Sequence, residues 1–219
     1  MPRHFTLLFA LIATAVLVRA ETSNHRQVLL DGKDFAGWKY VTPSTSAITD
    51  VCHYNSDGSL SVAGHPKGYL VHAGSYRNFR LHVEWCWAAN AAKNSNSGIL
   101  VLIASGPKDR EWPLSLQIQT KPGRAGDILP MAGATFAEKL STPPDAKVPQ
   151  LFRSEPGSEK AVGQWNECDV VCRDGTLEVS VNGVVQNRVT HVSPGSGKVG
   201  LQLEGTPYAV RNVWIERLD

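Results

Sequence analysis

Three short runs of the chain place chemically useful polar groups at every second residue. Arg80, His82 and Glu84 alternate with Leu81, Val83 and Trp85; Ser115, Gln117 and Gln119 alternate with Leu116 and Ile118; Gln202 and Glu204 follow Val199 and Leu201 in the same rhythm. Carboxylates and imidazoles move protons when held close to a reacting bond, and amides both donate to and accept from hydroxyl groups. Trp38, Trp112 and Tyr208 add flat apolar faces of the kind on which sugar rings lie. If the three runs neighbour one another in one sheet, they form a wet surface rich in carboxylate, amide and imidazole, suited to a carbohydrate. The same alternation also describes ordinary solvated strand faces, and patterning alone leaves both readings open.

The elements that must carry these groups are strands. Phe79 to Trp87 has apolar residues at every second position, and so do Leu177 to Val181 and Val199 to Leu203, as strands with one buried face do. Gly98 to Ala104 is apolar on both faces and reads as a central strand. Asp174-Gly175 and Asn182-Gly183 each separate two such runs and predict tight hairpins. Ala134 to Leu140 is the one stretch with a helical look, and 141–163, with four prolines, reads as a long surface loop. Short strands joined by regular turns, without an internal repeat, predict an all-β fold, an antiparallel β-sandwich of jelly-roll type.

Length and composition agree with one domain over residues 21–219. Of 219 residues 42% are hydrophobic, with 22 Lys+Arg against 20 Asp+Glu. Met1 to Arg3 is a short positive start, Phe5 to Val18 is almost wholly apolar, and Val18-Arg19-Ala20 fits a cleavage site, so residues 1–20 are expected to be a signal peptide. That segment holds Arg3 and Arg19 and no acid; its removal takes 2 from 22 and leaves 20 bases against 20 acids. The mature chain is then expected to be secreted or periplasmic, with no transmembrane segment and no basic footprint for nucleic acid. Cys52, Cys86, Cys168 and Cys172 are an even set, for which disulfides and buried thiols both remain open. Cys168 and Cys172 are not expected to pair with each other, since four strand residues span about 13 Å, beyond the ~7 Å that a bridge tolerates.

Ordered blocks along nearly the whole mature chain resemble the 3-keto-disaccharide hydrolase family. They are Leu29-Leu30-Asp31-Gly32-Lys33-Asp34-Phe35-Ala36-Gly37-Trp38, Gly68-Tyr69-Leu70, and Tyr76-Arg77-Asn78-Phe79-Arg80-Leu81-His82-Val83-Glu84-Trp85. Asn96-Ser97-Gly98-Ile99, Trp112-Pro113 to Gln119 and Gly126-Asp127-Ile128 follow. Gln164-Trp165-Asn166, Val181-Asn182-Gly183-Val184, Gly200-Leu201-Gln202-Leu203-Glu204-Gly205 and Val210-Arg211-Asn212-Val213 complete the series. The resemblance implies a concanavalin A-like or laminin-G-like sandwich acting on glycosides whose C3 hydroxyl is already a ketone. It implies a base near C2, an acid near the glycosidic oxygen, and a donor or divalent cation for the enolate oxygen.

Carried onto this chain, the resemblance makes Glu84 and Glu204 the base and the acid or metal ligand, and His82 and Arg211 the enolate donors. Asn96, Gln117, Gln119 and Gln202 suit sugar hydroxyls, with Trp38 and Trp112 as ring platforms. Each also has a structural reading: Arg211 ties the last strand to its neighbour, and Asn96 occupies a turn. One position departs from the family, whose relatives with the Trp-Pro block generally carry a glutamate where this chain has Gln117. An amide cannot take a proton at neutral pH, so a carbohydrate-binding, lectin-like module on the same fold is the alternative function. A conventional retaining glycosidase ranks behind both, because the Glu-x-Asp-x-x-Glu pattern is broken at Cys172 and its two carboxyl groups must lie about 5–5.5 Å apart. No EF-hand loop or His-Glu-x-x-His stretch is present to name a metal.

Overall fold

The computed structural model describes residues 26–92 and 94–218. The chain runs through β1 (Gln27–Val28), β2 (Trp38–Val41), the one-turn α1 (Ile48–Val51), β3 (Cys52–Tyr54), β4 (Leu60–Val62), β5 (Gly68–His72) and β6 (Phe79–Trp87). It continues through β7 (Gly98–Asp109), β8 (Trp112–Gln119), β9 (Ile128–Met131), β10 (Asn166–Arg173), β11 (Thr176–Val181), β12 (Val184–Val189), β13 (Lys198–Leu203) and β14 (Tyr208–Arg217). These strands form two sheets. The larger has the order β12-β11-β10-β6-β14-β4-β3, with β1 also paired to β14, and the smaller has the order β2-β5-β13-β7-β8-β9. The strand pairs are antiparallel, as alternation and turn chemistry predict.

Both tight hairpins form where expected. Asp174 and Gly175 have φ of 49° and 75°, and Asn182 and Gly183 have 48° and 78°. Two consecutive positive φ values give the turn whose twist matches its flanking strands, and Asn-Gly and Asp-Gly reach it at least strain. The apolar member of every alternating pair faces inward. Leu81, Val83, Trp85 and Val170 from the larger sheet meet Ile99, Val101, Leu116, Ile118 and Leu201 from the smaller in one core. Each such side chain contributes about 1.5–3 kcal/mol relative to exposure. Trp85 and Trp87 are core residues, and β7 is central in its sheet.

Ala134 to Leu140 is not helical. Thr135 instead forms a β-bridge with Ser193, and the Glu138 carboxylate accepts the backbone N–H and the hydroxyl of Thr190, the latter at 2.8 Å. A seven-residue segment makes a marginal helix, so these tertiary hydrogen bonds decide its path. Residues 141–163 are bends and turns, tied to the β9 edge by the Leu151–Ile128 bridge.

All four cysteines are free. Cys52, Cys168 and Cys172 point into the core, where burial pushes the Cys52 thiol up to about 12, the Cys172 thiol up to about 11 and the Cys168 thiol higher still. The expected signal peptide, residues 1–20, lies outside the described residues. Among the described residues no helix is long and apolar enough to cross a membrane.

Candidate functional site

The three polar runs do not share a surface. Strand β6 lies in the larger sheet between β10 and β14, whereas β8 and β13 lie in the smaller sheet on either side of β7. Arg80, His82 and Glu84 therefore face away from one side of the sandwich, and Gln117, Gln119, Gln202 and Glu204 from the other, with the core between. The expectation of one joint surface is corrected by strand pairing that joins residues far apart in sequence, such as β6 with β14 through Arg211 opposite Glu84.

A cavity of about 540 Å³ opens over the smaller sheet. Its lining includes Asn96, Trp112, Gln117, Gln119, Gln202 and Glu204, so six of the residues singled out in the sequence come together here. Register explains the floor. Gly98 pairs with Gln119 and Leu100 with Gln117 across β7–β8, while Gln202 pairs with Tyr69 across β13–β5. Glycine at position 98 leaves room for the Gln117 side chain, since a Cβ there would stand 2.6 Å from it and the amide would have to shift.

Hydrogen bonding leaves this floor incomplete. Gln202 Nε2 donates to Gln117 Oε1 at 3.3 Å, and Gln119 Oε1 accepts the backbone N–H groups of Thr120 and Lys121 at 3.0 and 3.1 Å. Among the described residues, Gln202 Oε1 and Asn96 Oδ1 are buried with no hydrogen-bond partner. Buried acceptors are nearly always paired, so two orphans lining one cavity mark places for donors from a ligand or water.

Glu204 is half-buried just beyond the end of β13. The turn that follows is pinned by the Gly205 N–H donating to Gly64 O at 2.8 Å, and Gly64, at φ 81°, abuts Thr206 so closely that a Cβ would lie 2.6 Å from its backbone. Burial raises the Glu204 carboxyl above the usual carboxylate range; Glu111 adds to this, while Lys67, Arg110 and Lys121 oppose it. A carboxyl of this kind takes and returns protons closer to neutrality than an exposed one.

The face of the larger sheet holds a different arrangement. Arg211 Nε donates to Glu84 Oε2 at 2.7 Å, and Asn212 Nδ2 to Glu84 Oε1 at 2.5 Å. His82 Nδ1 lies 3.1 Å from Asp169 Oδ1, which also accepts Arg80 Nε at 3.0 Å. The His82 ring stacks on Trp214 with centroids 5.0 Å apart, and Arg211 lies over Trp165. Burial by itself would raise both carboxyls, but these hydrogen bonds outweigh it and hold Glu84 and Asp169 below the ordinary range. Every charge in this network is already answered.

Two of the expected aromatic platforms are engaged in packing. Trp38 is edge-on to His72 and donates its Nε1–H to Leu29 O at 2.6 Å, away from the cavity. The Tyr208 hydroxyl donates to Gln202 O at 2.7 Å and its ring packs on Trp87 in the core. Trp112 does line the cavity. The cavity also carries four cationic side chains that the strand pattern does not single out, Arg110, Lys121, Arg124 and Lys147. These come from loops, where no periodicity signals direction. Among the described residues no three His, Cys, Asp or Glu side chains converge as a metal set would. The cavity brings Asp109 and Glu204 together with amides rather than imidazoles, a weak set for a divalent cation.

The sequence profile of the 3-keto-α-glucoside-1,2-lyase-like domain matches residues 25–216. The chain belongs to this family. A curated relative from Bacteroides thetaiotaomicron, named 3-keto-disaccharide hydrolase, is 25% identical over 169 residues, which cover 68% of this chain and 53% of the relative. The chain thus spans about half the length of that relative. Among solved structures, a proposed glycosyl hydrolase of Parabacteroides distasonis superposes with a TM-score of 0.63 at 23% identity, covering 93% of this chain and 99% of its own. The CBM66 carbohydrate binding module of Bacillus subtilis gives 0.57 at 8% identity, over 82% and 95%. LamAcat of Zobellia galactanivorans gives 0.57 at 12%, over 88% and 96%. At these identities the likeness is one of fold, and it places the family member among β-sandwich proteins.

Proposed function

We propose that the protein is a carbohydrate-active hydrolase of 3-keto-glycosides, working in the cavity over the smaller sheet. The observation that carries this reading is the half-buried Glu204 carboxyl, raised in pKa, at the edge of an amide floor with two unpartnered acceptors. The C3 ketone acidifies the C2 hydrogen. Glu204, as carboxylate, takes that proton, and the C2–H electron pair moves into an enolate whose charge rests on the C3 oxygen. As the ketone re-forms, a double bond forms between C1 and C2 and the C1–O bond to the leaving group breaks, the departing oxygen taking a proton. Water then adds to C1 of this enone and C2 regains a proton, so the net change is hydrolysis. Arg211 and His82 are committed to carboxylates on the opposite sheet, so the enolate oxygen falls to the cationic side chains around Glu204. Gln117, Gln119 and Gln202 receive sugar hydroxyls, and Trp112 bounds the ring.

Incubation of the purified protein with 3-keto-glucosides and with the matching unoxidised glucosides tests the reading. Release of the leaving group from the keto substrates alone is the expected result, and turnover of neither sinks it. Gln117 supports a second reading, a carbohydrate-binding module, because relatives of the resembling type carry a glutamate there. In that case Gln117→Glu creates turnover where the parent protein has only sugar binding.

A further inference from the structure

We propose that the glycoside taken by this cavity carries an anionic group, a sugar carboxylate in the simplest case, received by Lys121 and Lys147. The inference rests on the carbohydrate reading of the cavity and narrows it. Four cationic side chains line the cavity and come from three separate segments: Arg110 from the β7–β8 turn, Lys121 and Arg124 from the stretch after β8, and Lys147 from the 141–163 loop. The chain as a whole is nearly balanced, 22 bases against 20 acids, so this concentration does not follow from a generally basic surface.

Two of the four are already answered. Asp109 stands 3.6 Å from Arg110 Nε, and the buried Asp127 carboxylate stands 2.8 Å from Arg124 Nε, with Phe152 beneath that guanidinium. Lys121 and Lys147 are different. Among the described residues no carboxylate lies within ion-pairing distance of either ammonium, and Lys121 is half-buried, where an unanswered charge costs more than at an open surface. Glu204 senses Lys121 through space, without an ion-pair contact between the two. A transient enolate beside Glu204 accounts for one cation. It does not account for Lys147. A neutral sugar would need neither, since its hydroxyls are served by the amides of the floor. A ligand anion entering this space meets the half-buried Lys121 ammonium, where attraction is screened less than in open water, and the exposed Lys147 ammonium at the rim.

The test is calorimetric titration of the unmodified protein with methyl glucuronide, glucose 6-sulfate, the glucoside of 4-hydroxybenzoate and methyl glucoside, at low and at high salt. The first three place the anion as a sugar carboxylate, as a sugar sulfate and on the leaving group. We expect methyl glucuronide to bind about tenfold more tightly than methyl glucoside, with the margin shrinking in salt and lost in Lys121→Met/Lys147→Met, which keeps the side-chain stems. Tighter binding of the sulfate or of the hydroxybenzoate glucoside than of the glucuronide overturns the assignment to a sugar carboxylate. Equal binding of acidic and neutral glycosides, or a preference that survives the double substitution, overturns the inference while leaving the carbohydrate reading intact. Binding of none of them, together with no turnover of 3-keto-glucosides, overturns both.

Discussion

The two outer faces of the sandwich are built from similar residues and treat them in opposite ways. On the larger sheet Glu84 and Asp169 each receive two hydrogen-bonding partners from neighbouring strands and are held below the usual carboxylate range. On the smaller sheet Glu204 is partly desolvated and raised, and among the described residues it has no hydrogen-bonded partner and the amide oxygens of Gln202 and Asn96 in the same cavity have no donor. A satisfied network holds strands together and has little left to offer a ligand. An unsatisfied one costs stability and is available for binding and proton transfer, which is why functional sites collect perturbed carboxyls.

The sharpest way to break this contrast is to neutralise one carboxylate on each face. Glu204→Gln is expected to lower kcat on a 3-keto-glucoside by about 10²–10⁴-fold, the usual contribution of a general base, with the melting temperature unchanged or raised. Glu84→Ala is expected to do the reverse. It leaves Arg211 and Asn212 without their acceptor and costs about 1.5–3 kcal/mol of stability, read as a drop of several degrees in thermal unfolding, with kcat within a few-fold of the parent. Equal losses of activity from both substitutions would end the assignment of the site to the smaller sheet.

Acid pH separates the faces a second time. Glu84 and Asp169 have folded pKa values below their unfolded values of about 4, so their stabilisation is complete above that pH and is lost as pH falls through the lowered values. Glu204 has the opposite sign. Its folded pKa is above the unfolded one, so protonation favours the fold and removes the base. Activity is therefore expected to fail on the acid side above pH 4, while near-ultraviolet circular dichroism still reports an intact fold.

Smaller effects refine the picture. Gly98→Ala puts a methyl group against Gln117 and should weaken sugar binding several-fold in a titration, with a modest stability change. Trp38→Phe removes the hydrogen bond to Leu29 O and should cost about 1 kcal/mol in denaturant unfolding, with sugar affinity unchanged because Trp38 is outside the cavity.

Much of the fold was legible in the sequence because alternation dictates faces and Asp-Gly and Asn-Gly dictate turns. Phe79 to Trp87 shows its inward residues without ambiguity. Alternation carries no information about which strand lies alongside, so Glu84 and Glu204 looked equivalent although β6 pairs with β10 and β14 and β13 pairs with β5 and β7. Trp38 and Tyr208 carry a related ambiguity: an aromatic residue near a strand end can serve a ligand or a neighbour's carbonyl, and the fold shows both donating to backbone carbonyls. Lys121 and Lys147 gave no signal, since loop residues follow no period.

The four cysteines carry a consequence for how the protein is made. Three thiols are sealed in the core with burial holding them protonated, and none is cross-linked. Thiolate is the species that exchanges and oxidises, so these three thiols are withheld from the redox poise around the finished fold, and the partly exposed Cys86 has no partner cysteine bonded to it. A chain of this design needs no oxidative folding machinery, and recombinant material from a reducing cell should be interchangeable with material matured in an oxidising compartment.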